Sequence, residues 1–364
     1  MVDTPRRLAI MAEASFAPND AKTAIGLLRY RLADVACVLD STRAGRTAEA
    51  CVGIGGATPV VATLDDAAAC GANALLLGIA PAGGRLPPPW RAVVRGALER
   101  GWDVVSGLHV FLADDPEFAT LAAARAAQIH DVRRPPAGLG IGLARAAEVD
   151  ALVVLTVGTD CNVGKMTAAL ELRRELAQRG VRAAFVATGQ TGIMIEGAGI
   201  AVDAVPADFV AGAAERLVLE ASRAHDVVIV EGQGSLHHPA FAGVTLGLLH
   251  GACPAALVLC HHHGRTRMRI GSDDTRAPLV PDLASARDAH EVAAAWVRPA
   301  RVVAAAINTH GSSDAEALHA CAVAATALHV PATDPVRHGA GPLADAIQVV
   351  LRARGARGAA TSTG

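Results

Sequence analysis

Short apolar runs alternate with amphipathic stretches along most of the chain. Residues 6–12 (RRLAIMA), 35–39 (VACVL), 59–62, 74–79 (ALLLGI) and 103–106 read as strands. Between them, residues 20–31, 64–70 and 90–100 read as helices. Thr63 caps the second of these, and Asp65 and Asp66 sit in its first turn, where the helix dipole favours acids. The pattern resumes after residue 150. Apolar runs at 151–155, 181–187, 226–230, 255–260 and 301–307 read as strands, with helices over 168–179 and 209–223 and a last short strand within 329–334. Strands alternating with helices predict parallel, doubly wound α/β sheets.

The chain has 364 residues, and about 150 residues per domain is the prior, so two domains are expected. The clearest compositional break is 133–150, RRPPAGLGIGLARAAEVD, with its double proline and spaced glycines. The reading is a Rossmann-like N-terminal domain over 1–135, a linker over 136–150, a phosphate-loop domain over 151–350 and a disordered tail over 351–364. The first strand is not followed by G-x-G-x-x-G, so no dinucleotide is expected in the first domain. Ligands of such sheets sit beyond the C-terminal strand ends. There the first domain carries Asp40, Gly83, Gly84, Arg85 and His109.

Composition narrows the classes. Apolar residues make up 52%, enough for two cores, but aromatics only 3%. A net charge of −2, from 33 basic and 35 acidic residues, gives no general attraction to nucleic acid or membrane. The apolar runs are too short to span a bilayer, and no signal-peptide pattern opens the chain. Seven scattered cysteines without a C-x-x-C pair fit a reduced, cytoplasmic protein. The many apolar helices give the expectation of a homo-oligomer.

Chemistry concentrates at 156–167, TVGTDCNVGKMT, between a strand and a helix. Strand, glycine-bearing loop and helix N-terminus together form a phosphate cradle, with backbone N–H groups and one lysine converging on the oxygens. Gly158, Thr159, Asn162, Val163, Gly164, Lys165, Met166 and Thr167 are the candidate ligand-binding residues. The loop is irregular. Five residues separate Gly158 from Gly164 instead of four, and Met166 stands where a Mg²⁺-ligating hydroxyl usually follows the lysine. Thr167 supplies a hydroxyl one place later. The bland alternative is a strand–helix turn that only packs. Cys161, inside the loop, is read as filler before it is read as a reactive thiol.

Other strand ends point to the same crevice. Glu231, followed by Gly232, Gln233, Gly234 and Ser235, ends the 226–230 strand, and Gln190 and Thr191 follow the 181–187 strand. Glu231 is a candidate base or metal orienter, against the alternative of a solvated strand-end acid. Asp160 either caps the next helix or meets a ligand amine. His237 is the first choice for a histidine base, ahead of His238. Arg85 and Arg265 are candidates for holding a substrate carboxylate through guanidinium geometry. His261, His262 and His263 invite a metal reading. Neighbouring residues of an extended segment face opposite ways, so at most His261 and His263 would share an ion, and no metal is expected.

These residues carry a family likeness. KTAIGLLRYR (22–31), LLLGIAPAGGRLPPPWR (75–91), VVSGLHVFLADDPE (104–117), VGTDCNVGKMTAALEL (157–172), FVATGQTGI (185–193), VIVEGQGSLHHPAF (228–241) and TDPVRHGAG (333–341) resemble a P-loop family catalogued as a domain of unknown function. A characterised branch of it consists of D-glutamate N-acetyltransferases. The GTDxxVGK and EGQG module also resembles dethiobiotin synthetase. The resemblance implies acetyl transfer from acetyl-CoA to the amine of a D-amino acid such as D-glutamate, with the loop anchoring CoA phosphates. Glu231, His237 and Asp160 are then the candidate catalytic residues. Arg85, His109, Gln190, Thr191, Gln233, Ser235 and Arg265 are the candidate substrate contacts. The alternative is an ATP- and Mg²⁺-dependent ligase or kinase acting on a carboxylate. A third reading, a non-enzymatic nucleotide-dependent regulator or metal chaperone, rests on the histidine run alone.

Overall fold

A computed structural model of the chain describes residues 6–18, 20–79, 84–270 and 276–361, with backbone alone for 355–361. Two compact units emerge. The first is Met1–Pro135 with Ile193–Ala204, and the second is Pro136–Gly192 with Val205–Gly364. Among the described residues, no helix is long and apolar enough to cross a membrane.

The first unit is built on six parallel strands: β1 (Leu8–Met11), β2 (Val35–Leu39), β3 (Val60–Val61), β4 (Ala74–Leu77), β5 (Asp103–Ser106) and β6 (Ile129–Asp131). Their order is β3-β2-β1-β4-β5-β6, with β1 paired to both β2 and β4. Helices α1 (Lys22–Tyr30), α2 (Ala48–Val52), α3 (Leu64–Ala69), α4 (Pro88–Glu99) and α5 (Pro116–Arg125) connect them. Thr63 and Asp66 close a capping box on α3, as the acidic first turn implied. β1, β2 and β4 are buried along their whole length, which is why they read as continuous apolar runs.

The chain leaves β1 for β2 and β3 on one side and returns to β4 on the other, so the topological switch lies at β1. Phe16, shortly after β1, is fully buried, and Asp40 accepts from Phe16 N, Thr42 N and Thr42 Oγ1. A side chain at Gly78 would fall 2.4 Å from Ile10 Cγ2. The segment Ile193–Ala204 sorts with this unit, where Arg31 donates to Ile195 O at 2.8 Å and Arg133 pairs with Asp203.

The second unit holds β7 (Leu152–Gly158), α6 (Lys165–Gln178), β8 (Ala183–Val186), the first residues of α7 (Gln190–Glu196), α8 (Ala207–Ala221), β9 (Val227–Val230), α9 (Ala242–Ala252), β10 (Ala256–His262), α10 (Leu283–Ala295), β11 (Arg301–Asn308), α11 (Asp314–Leu328), β12 (Ala332–Thr333) and α12 (Gly341–Thr361). All strands are parallel, in the order β12-β11-β10-β7-β9-β8. Residues 351–361, read from sequence as a disordered tail, continue α12 as far as Thr361. The expected linker, 136–150, sorts with this unit. Buried Glu215 of α8 holds it, accepting from Leu143 N, Arg145 N and the Arg145 guanidinium. Gly142 serves packing: a side chain there would lie 2.9 Å from Ala211 Cβ.

Candidate functional site

β7 lies at the centre of the second sheet, between β9 and β10, and the chain switches sides there. This is the position at which a parallel sheet opens a crevice beyond its strand ends. The loop 159–164 stands there. Thr159 fixes its start: N donates to Cys260 O at 3.1 Å, and Oγ1 lies 3.0 Å from His261 Nδ1. Asn162 and Gly164 have positive φ, 52° and 106°, which turn the loop back onto α6. Val163 is fully buried beneath it. Lys165 opens α6 and is only 7% exposed, and its Nζ donates to Asp160 O at 2.8 Å. Met166 is buried, whereas Thr167 is half-buried.

The β9 strand end closes on the same loop. Gly232 N donates to Thr156 Oγ1 at 2.9 Å. A side chain at Gly232 would meet Thr156 O at 1.6 Å and the Lys165 stem at 3.1 Å, so glycine is required for this approach. Glu231 Oε2 accepts from Thr188 N and Gly189 N at 3.0 and 3.1 Å, which commits that oxygen to the turn before α7. Gln233 Nε2 reaches Thr188 Oγ1 at 3.4 Å. Gln190 and Thr191 begin α7 beside this turn. The structure therefore brings the ends of β7, β8 and β9 together, as their place in the sequence implied.

Arg265, a candidate for holding a substrate carboxylate, lies against the loop. Its Nη1 donates to Asp160 Oδ2 at 2.9 Å and Cys161 O at 2.6 Å, and Nη2 donates to Asn162 O at 3.3 Å. The guanidinium clamps the loop from a place over one hundred residues along the chain. Asp160 is fully buried; its Oδ2 also accepts from Arg269 N, while Oδ1 has no partner.

Among the described residues, four buried side-chain polar atoms lack a hydrogen-bond partner: Asp160 Oδ1, Ser235 Oγ, His237 Nδ1 and His290 Nε2. All belong to the second unit. Buried polar atoms are ordinarily paired, so each unspent one is open to a ligand or solvent. Asp160, Ser235 and His237 were legible as candidates. His290 was missed: it lies in α10, on a stretch that reads as an ordinary amphipathic helix. Its Nδ1 lies 2.7 Å from Ala286 O, and its pKa is pushed down to about 4, chiefly by burial and then by His237 and Lys165.

His238 is buried and stacked on Phe241 at 4.6 Å. Asp160, Cys161 and His238 each bring one ligand atom within 4.8 Å of the others. Both His238 nitrogens are engaged, with Ala240 N and Arg269 O, and Arg265 already neutralises Asp160. That donor set ties three loops together and leaves His238 no free lone pair for a cation. His261 and His263 line one cavity of about 240 Å³ with His319 and apolar residues of α10, β11 and α11. Burial holds the His261 pKa down at about 4, with help from His262, His263 and Arg265.

Arg85 and His109 belong to the first unit. His109 N donates to Gly84 O at 2.9 Å, so the two loops after β4 and β5 meet. Arg85 is exposed on the rim of a cavity of about 330 Å³ that Phe111 and Phe118 also line. Gly83 lies outside the described residues.

Comparison with known proteins fits both halves. Residues 140–344 match the DUF1611 P-loop domain, a domain of unknown function, and residues 41–135 match the Rossmann-like DUF1611 N-terminal domain. A Tritonibacter scottomollicae protein named D-glutamate N-acetyltransferase is 42% identical over 291 residues, 79% of this chain and 85% of that protein. A protein of the same name from a Pseudoalteromonas species is 40% identical over 275 residues, 75% of this chain and 81% of that protein. The crystal structure of a DUF1611 family protein from Anabaena variabilis ATCC 29413 superposes with a TM-score of 0.89 at 37% identity, over 94% of this chain and 99% of that one. With a Rossmann-like first half and a P-loop second half, the chain belongs to the DUF1611 family.

Proposed function

We propose that the protein is an N-acetyltransferase that moves an acetyl group from acetyl-CoA to the amine of D-glutamate. The observation that carries this reading is the 42% and 40% identity, over three quarters or more of the chain, to two proteins named for that activity. The loop geometry supports a role for the second unit as the donor's anchor. Lys165, the loop N–H groups and the α6 N-terminus hold the CoA phosphates. No phosphate bond is cleaved, which suits Met166 in the place of the Mg²⁺-ligating hydroxyl.

The acceptor reaches the enzyme as an ammonium and must lose a proton before it attacks. His237 takes that proton. The amine lone pair then adds to the thioester carbonyl carbon. Backbone N–H groups of residues 233–235 stabilise the oxyanion. Collapse breaks the C–S bond, and the proton that the nitrogen sheds as it becomes the amide protonates the departing thiolate, so CoA leaves as the thiol. Glu231 shapes the site by fixing the β8–α7 turn, and Arg265 holds the phosphate loop in its curve.

The test is thiol release from acetyl-CoA in the presence of D-glutamate, L-glutamate and other D-amino acids. Release that depends on D-glutamate is expected. No release with any amine, or ADP formation from Mg-ATP with a carboxylate substrate, would contradict the proposal.

A further inference from the structure

We infer that the cavity beside the phosphate loop, walled by the ends of β10 and β11 and by α11, is the subsite for the adenine ring of CoA. This rests on the anchoring role given to the loop above.

The cavity and the loop share their walls. His261 lines the cavity, and its Nδ1 lies 3.0 Å from Oγ1 of Thr159, the residue that starts the loop. A single imidazole therefore reaches from the phosphate cradle to the cavity. Ile307 lines the cavity as well. The next residue, Asn308, stands at the other end of the loop: a side chain at Gly164 would fall 3.8 Å from Asn308 Cβ.

The order of the sheet gives the ligand its direction. β7 carries the loop and lies between β9 and β10. His237, which takes the proton of the acceptor, follows β9, whereas the cavity lies on the side of β10 and β11. In CoA the pyrophosphate joins the thioester arm to the adenosine. With the phosphates over β7 and the thioester at the loop after β9, the adenosine runs towards β10 and β11, where the cavity is.

The lining suits a flat, uncharged ring. Leu283, Ile307, Val323 and Ala324 give it apolar walls, and His261 and His263 give it imidazole rings on which a base stacks. Burial holds the His261 pKa down at about 4, so that ring meets the base uncharged. Among the described residues no lysine or arginine lines the cavity, so it is a place for the base and not for a phosphate. Its volume of about 240 Å³ is below the about 300–1,000 Å³ of sites for whole drug-sized ligands and fits one ring system.

Calorimetric titration of the full-length protein with acetyl-CoA, and with acetyl-phosphopantetheine, which keeps a phosphate and lacks the nucleoside, tests the inference independently of activity. Ala324→Leu puts its added carbons into the cavity. It weakens acetyl-CoA binding by about tenfold or more, the worth of a lost stacked base, and leaves acetyl-phosphopantetheine binding unchanged. In the wild type, NOEs join the adenine protons of bound acetyl-CoA to the Val323 methyls. Should Ala324→Leu fail to fold, these NOEs still decide. Equal acetyl-CoA affinity in wild type and Ala324→Leu, equal weakening of both ligands, or adenine NOEs only to residues away from the cavity overturns the inference. Acetyl-CoA bound with its adenine at Val323, but without D-glutamate-dependent thiol release, strikes the proposed function and leaves the subsite standing. No binding of acetyl-CoA at all overturns both.

Discussion

Asp40 and Asp160 are both fully buried carboxylates just beyond a parallel strand near the centre of a doubly wound sheet. Every oxygen of Asp40 is used: Oδ1 accepts from Thr42 N and Oγ1, and Oδ2 from Phe16 N. Asp160 binds Arg265 and Arg269 N through Oδ2 and leaves Oδ1 unspent. The same contrast holds around them. After β1 the protein buries Phe16 completely, whereas the loop after β7 carries its glycines, a buried lysine and the unpartnered Asp160 Oδ1. Two sheets of one architecture thus divide their work. Burial and complete pairing build a scaffold, and polar atoms left unspent mark where chemistry is possible.

Mutations that separate activity from stability probe this division. His237→Ala has the largest expected effect: kcat falls by about 10²–10³-fold, the share of a general base, with little change in the denaturation midpoint. Steady-state rates beside a urea titration check it. Next comes pH. The unfolded chain protonates His290 as pH falls through 6.5, while the folded ring resists until about 4. The unfolded state then binds more protons, so stability is full above pH 6.5 and declines between 6.5 and 4, by on the order of 3 kcal/mol. Urea unfolding across that window, in wild type and His290→Phe, should show a flatter profile for the variant.

The opposite arm is Asp40→Ala. Three donors lose their acceptor, so unfolding free energy falls by about 1–3 kcal/mol. The rate per folded molecule does not change. A loss of kcat comparable with that of His237→Ala would break the comparison between the two sheets. Smallest is Arg182→Ala, which removes an exposed pair with Asp226 beside the start of β9. It costs about 0–1 kcal/mol, less in salt, and leaves activity unchanged.

Much of this was legible. The strand–loop–helix at 151–179 and the apolar runs at 35–39 and 226–230 follow from period and burial, because strands covered on both faces have no polar alternation to blur them. Glu231, His237 and the phosphate loop followed from their place at strand ends. The helix start was less clear: α6 begins at Lys165 itself, because the positive φ of Gly164 ends the loop there. Three features depend on distant contacts. Arg265 reads as a candidate to hold a substrate carboxylate, and its hold on Asp160 and Cys161 O shows only in the fold. His290 carries no motif in the sequence, and its burial shows only in the fold. The glycines of 138–142 read as part of a linker, although Gly142 sits against Ala211 of α8.

The central claim is that the β7 loop anchors the phosphates of CoA. Calorimetric titration of wild type and Lys165→Ala with acetyl-CoA, and with an acetylated pantetheine that has no phosphate, tests it directly. The account predicts that Lys165→Ala weakens acetyl-CoA binding by about tenfold or more, the loss of a charge-assisted contact, and leaves the weak binding of the phosphate-free thioester unchanged. Equal acetyl-CoA affinity in wild type and Lys165→Ala would contradict it.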